Sequence, residues 1–166
     1  MRYLGFVLIL LAGLLFGCAA ELFVIQRVNL FSKTAEFFKA LADEVSRYHT
    51  AYLSLCSAYS TREDAPEYLA AVSDDMENGE AFRDAFCKRF SSRARTLMLD
   101  TQAQQLVLYV KQLGSSCAET ESELLVRAAE EAQSTADKLT EKEMAETHMP
   151  IKIAALISAM LCIMLF

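Results

Sequence analysis

Residues 27–58, RVNLFSKTAEFFKALADEVSRYHTAYLSLCSA, decide the fold class. Leu30, Thr34, Phe37, Leu41, Val45, Tyr48, Tyr52 and Leu55 recur every three or four residues, the period of one helix face and not the alternation of a strand. Lys33, Glu36, Lys39, Asp43 and Arg47 occupy the other face. The spacing predicts one long amphipathic helix over 27–58. With only five Gly and two Pro in 166 residues, and no segment of period two, the chain reads as all-α.

Downstream, Ser60–Pro66 interrupts the pattern, and Pro66 suits the first turn of a helix over 66–76. Asn78-Gly79 signals a turn. Phe82, Phe86 and Phe90 then repeat at four-residue spacing, which predicts an amphipathic helix over 80–95 with the rings in the core. Leu99, Ala103, Leu106, Val110 and Leu113 predict another over 98–113, stopped by Gly114. Ser116-x-x-Glu119 is a capping box for a last helix over 117–148. Its seam of Leu125, Ala128, Ala132, Ala136 and Leu139, with Ala129 alongside, suits close approach of the helix over 27–58. The expected architecture is an antiparallel helical bundle over 27–149.

Outward from this middle, the two ends change character. Residues 3–20, YLGFVLILLAGLLFGCAA, carry no charge, and Leu22–Ile25 is again apolar. A hydrocarbon core of ~30 Å needs about 20 helical residues, so 1–26 is expected to be an N-terminal transmembrane helix. Residues 150–166, PIKIAALISAMLCIMLF, are expected to form a C-terminal transmembrane helix, extended by the preceding helix and by a snorkelling Lys152. The rival for the first segment is lipidation at Cys18, because Leu15-Phe16-Gly17-Cys18 is a loose lipobox. A cleaved signal peptide is a third reading. Arg27, Lys33 and Lys39 after the first span, with Lys138, Lys142 and Lys152 before the second, outnumber Arg2 on the terminal side. That bias favours a cytoplasmic middle domain.

The chain is 54% hydrophobic with a net charge of -6. Apart from Arg2, Glu21 and Lys152, every charged residue lies between Gln26 and Met149, so the acidic excess belongs to the middle. A net acidic domain does not suit nucleic acid. No phosphate-binding loop, dinucleotide fingerprint or nucleophile elbow occurs. His49 and His148 are the only histidines, and the five cysteines are scattered singly without C-x-x-C. That argues against a metal site or a disulfide framework. Asp74-Asp75 and Glu130-Glu131 are adjacent on helices and point about 100° apart, so each reads as a solvated face. The sequence predicts a non-enzymatic protein with no cofactor and no small-molecule substrate. One charge feature stands out. Arg83, Lys88, Arg89, Arg93 and Arg95 face only Asp84 as a local acid, whereas Glu119, Glu123, Glu130 and Glu131 belong to a strongly acidic last helix. The pattern predicts oppositely charged surfaces for docking another protein or for head-to-tail self-association.

Several strings, taken together, resemble the stage III sporulation protein AB family. They are GFVLILLAGLLFGCAAE, with Gly5 and Gly17; FKALADEVSRYHTAYL, with Leu41, Glu44, Val45, Tyr48, Thr50 and Leu53; Gly79-Glu80-Ala81-Phe82; Leu113-Gly114; and the charged helix feeding an apolar tail, KLTEKEMAETHMPIKIAALISAMLCIMLF. The chain departs from the family pattern at Ala51, Cys117, Glu121 and Pro150 and in having no Trp. The resemblance implies a soluble domain similar to the cytoplasmic helical domains of the type II secretion F protein. It also implies a place in a channel assembly of membrane proteins between mother cell and forespore, beside a secretion-type ATPase supplied by another chain. It transfers no catalytic residue.

Overall fold

The computed structural model describes the backbone of residues 2–48, 52–114 and 118–165, and side chains for residues 12, 15, 17–46, 52–114 and 119–142. The described residues are helical, without a strand: α1 (Arg2–Tyr48), α2 (Tyr52–Ser60), α3 (Leu69–Glu77), α4 (Phe82–Thr96), α5 (Asp100–Val110) and α6 (Ala118–Leu165). They form two compact units. One comprises Met1–Arg27 with Lys138–Phe166, and the other is Val28–Asp137. Two membrane-crossing ends, expected over 1–26 and 150–166, are not supported: among the described residues no helix is long and apolar enough to cross a membrane. The side chains of residues 1–11 and 143–166, most of both expected spans, lie outside the described set.

The all-α expectation holds, with changed boundaries. The helix expected over 27–58 is two helices. α1 ends at Tyr48 and α2 begins at Tyr52. The apolar spacing continues in phase from Val45 to Tyr52, and no Gly or Pro marks the join, so periodicity could not reveal it. α3 begins three residues after Pro66, because the Leu69 N–H first closes a tight turn on the Pro66 carbonyl at 3.0 Å. The helix expected over 98–113 narrows to α5, since Gln112 and Leu113 make three-residue turns onto Tyr109 and Val110. α6 is continuous through Pro150. Ser116, the first half of the expected capping box, lies outside the described residues.

The core of the Val28–Asp137 unit is aromatic. α4 turns Phe82, Phe86 and Phe90 inward, and Phe86 and Phe90 are wholly buried. Successive rings along this stripe lie 5.7 and 5.3 Å apart. α1 supplies Phe31 edge-on to Phe90 at 5.7 Å and Phe38 against Phe86 at 5.1 Å. α2 adds Tyr52, stacked on Phe82 at 4.8 Å, and Tyr59 against Phe37. Tyr68, just before α3, meets both Phe86 and Phe90 edge-on. Edge-to-face and offset pairs contribute beyond area burial, by ~0.5–1.5 kcal/mol each. Tyr68 could not be buried with an unpaired hydroxyl. Thr34 of α1 meets it at 2.8 Å, and the Thr34 hydroxyl also lies near the Leu30 carbonyl. Burial pushes the Tyr68 phenol well above its ordinary range. The α6 seam is buried as the sequence predicts, through Leu125, Ala128, Ala129, Ala132 and Ala136.

Two helix ends use the same Schellman closure with different residues. At the end of α3, Gly79 N–H bonds Met76 and Glu80 N–H bonds Asp75, with Gly79 at φ +95°. At the end of α4, Met98 N–H bonds Arg95 and Leu99 N–H bonds Ala94, with Met98 at φ +56°. Glycine adopts this left-handed conformation without cost, whereas a side chain at the position costs roughly 1–2 kcal/mol.

Candidate partner-docking surface

The cations singled out in the sequence all lie on α4, and each has a carboxylate neighbour within the domain. Arg89 grips Asp75 with both arms of its guanidinium, Nε at 2.7 Å and Nη2 at 2.6 Å. Lys88 reaches Asp75 at 3.3 Å and Glu80 at 2.9 Å. Arg93 pairs with Glu67, ahead of α3. Arg83 stands 3.7 Å from Asp84, and Arg95 stands 3.6 Å from Asp100. The α3–α4 turn makes the first set possible. Asp75 sits in the last turn of α3, and the Schellman closure at Gly79 folds α4 back beside it. Asp75 is the deepest charge in the cluster, with 11% of its side chain exposed. Hydrogen bonding from Arg89, then from Lys88, holds its carboxyl down at about 2, below the ordinary carboxylate range. The same pairing raises Arg89 and Lys88.

The acidic set is placed differently. Glu119, Glu123 and Glu130 are exposed on α6, and Glu131 is half-buried. Helical geometry sets Glu119, Glu123 and Glu130 within about 40° of one another, on the side of α6 away from the alanine seam. Among the described residues none of the four carboxylates has an ion pair. The basic surface is thus balanced in place, while the acidic surface is open.

Two functional carboxylates escaped the sequence reading. Asp75, taken there as half of a solvated pair, is the acid on which the basic helix closes. Its signal was the Asn78-Gly79 turn, which must bring the end of one helix beside the next. The other is Glu121. Its Oε2 accepts the Tyr52 O–H at 2.8 Å, and its Oε1 accepts the Gly114 N–H at 2.8 Å. It ties α2, the turn after α5 and the first turn of α6 together. Burial and the Glu121 carboxylate both raise the Tyr52 phenol. No local pattern announced this, because Tyr52 lies 69 residues from Glu121 and Gly114 stands across the turn that precedes α6.

The arrangement offers ionic contact and little else. Among the described residues no group of three or more His, Cys, Asp or Glu could hold a metal. Cys56 is buried, and burial pushes its thiol up to about 12, far from a reactive thiolate.

An all-helical bundle braced by surface ion pairs is the class that these elements define. The family model for stage III sporulation protein AB matches residues 2–166, and the chain belongs to that family. Its role is accordingly sporulation-related. No curated protein and no solved structure matches the chain.

Proposed function

We propose that this protein is a non-enzymatic membrane scaffold, a platform component of a secretion-like channel assembly between mother cell and forespore. Family membership over nearly the whole chain carries the reading. In it, residues 1–26 and 150–166 anchor the protein in the mother-cell membrane, and the helical domain stands on the cytoplasmic side. The charge-free run over 3–20 supports the first anchor. So does the exposure of Leu15, Leu22 and Ile25 on α1, apolar side chains that lipid would cover.

Docking follows from the charge pattern. Glu119, Glu123, Glu130 and Glu131 offer unpaired carboxylates to a basic surface on another protein of the assembly. Arg83, Lys88, Arg89, Arg93 and Arg95 serve as contacts in the same scheme, with Arg83 and Arg95 the most available, because their pairings are the longest of the set. The nucleotide-driven work belongs to an ATPase in trans, since this sequence has no phosphate-binding loop.

Carbonate extraction of native membranes tests the anchors. The full chain is expected in the pellet with an unmodified N-terminus. Recovery in the supernatant contradicts the anchored reading, and metabolic lipid labelling lost on Cys18→Ser would establish the lipoprotein rival in its place. Charge reversal at Glu123 and Glu130 tests docking. Recovery of partner membrane proteins should fall, and unchanged recovery removes these residues from the contact.

A further inference from the structure

In the Val28–Asp137 unit, Met98 at 79% and Leu108 at 61% are the two most exposed of the large hydrophobic side chains. Both belong to α5 or to the turn that leads into it. Met98 is held there in a left-handed conformation that glycine fills at the matching end of α3, and its side chain gains little from the domain itself. α5 turns Ala103, Leu106 and Val110 into the core. Its outer face is Thr101, Gln104, Gln105 and Leu108, all exposed and all uncharged. No charged residue interrupts the helix between Asp100 and Lys111. Depletion of charge around exposed apolar anchors is the composition of an interface centre.

The ends of this face say what covers it. Asp100 opens α5 and Lys111 follows it, and the helical angle of 100° per residue puts both along one edge, about 20° apart. A two-fold axis near Gln104 and Gln105 would lay α5 of a second copy antiparallel along this face. Each Asp100 then meets the other copy's Lys111. Lys111 has no ion-pair partner among the described residues, and Asp100 is free to turn from Arg95, 3.6 Å away. Glutamine amides at the axis donate and accept, so they match their own copies. Leu108 lies over Thr101 of the other chain, and Met98 flanks the pair at either end. A face that is complementary to itself under a two-fold is what an isologous dimer requires.

We propose that α5 is the contact by which two copies of this chain pair in the membrane. The inference rests on the scaffold reading for its setting: a single helix face is a small interface, and confinement of both copies to one membrane raises their effective concentration.

The test uses the full chain in native membranes. Cysteine at Gln105 is expected to give an oxidative crosslinked dimer well above that of the parent chain with its native cysteines. Asp43→Cys, at an exposed position of α1 outside every proposed contact, should give no more than the parent. Lys111→Glu should lower the dimer yield about tenfold, equivalent to ~1.4 kcal/mol in association, and Asp100→Lys combined with Lys111→Glu should restore it. Thermal unfolding of each variant checks that the fold is kept. A Gln105 cysteine dimer no stronger than the parent's overturns the inference, as does a double swap without recovery. Crosslinking of that cysteine to a different membrane protein also overturns it and leaves the scaffold reading standing, whereas loss of membrane association would strike the scaffold reading itself.

Discussion

α4 and α6 solve the same problem with opposite materials. α4 turns phenylalanine rings inward and fixes its outer cations to acids of the same domain. α6 turns alanines inward, and among the described residues its outer carboxylates Glu119, Glu123 and Glu130 have no ion pair. Both read in the sequence as charged amphipathic helices. The difference lies in what stands opposite each outer face. α4 follows a tight turn from α3, which brings Asp75, Glu67 and Glu80 beside its cations. Among the described residues no basic side chain forms an ion pair with Glu119, Glu123 or Glu130. Under the proposed docking, a run of like charge is most available to a partner where folding brings no counter-charge to it.

The largest expected effect is on the inner face of α4. Phe86→Ala removes a ring that meets Phe38, Tyr68, Phe82 and Phe90, and should cost about 3–5 kcal/mol in chemical denaturation. A loss under ~1 kcal/mol would mean that the aromatic stripe is not the core. On the inner face of α6 the sensitive direction is reversed. Ala132→Leu adds bulk where the seam admits none and should cost about 1–3 kcal/mol, whereas Ala132→Gly should cost about 1 kcal/mol through helix propensity. Tolerance of leucine would show space behind the seam.

The outer faces separate by pH. The Asp75 carboxyl titrates lower in the folded chain than in the unfolded one, so its pairing adds stability above the ordinary carboxylate range. That contribution is lost as pH falls from about 4 toward 2. Asp75→Asn should lower the melting temperature at neutral pH by a few degrees and flatten the acid limb of the stability curve. If the variant melts like the parent at pH 7, the α3–α4 pairing is not holding the helices together. Smallest of all, Glu123→Gln or Glu130→Gln should stay within about 0.5 kcal/mol of the parent, because an unpaired surface carboxylate adds little to folding. Their effect belongs to partner recovery.

The legible part of the fold was whatever leaves a local mark. Gly79, at φ +95°, stands where Asn78-Gly79 marks the end of α3, whereas Gly114, at φ +85°, lies four residues beyond the end of α5, after its closing turns. The inward phenylalanines and the alanine seam followed from spacing alone. The division between α1 and α2 left no mark, since the apolar period runs across it. Pro66 misled by three residues, because it closes a turn before α3 and does not open the helix. On the surface, the five α4 cations were visible as a cluster, but the partners of Lys88, Arg89 and Arg93 come from before α4: Asp75 on α3, Glu67 ahead of it and Glu80 in the turn after it. Glu121 lay hidden for the same reason: its work is to join Tyr52 and Gly114, and neither neighbours it in the chain.

The most direct test of the scaffold account is photocrosslinking in native sporulating membranes, with the reactive residue placed at Glu130 in one full-length chain and at Arg89 in another. The account predicts adducts from the Glu130 position with membrane proteins of the channel assembly. It predicts far fewer from Arg89, which Asp75 already holds. No protein adduct from Glu130, or stronger capture from Arg89, would contradict it.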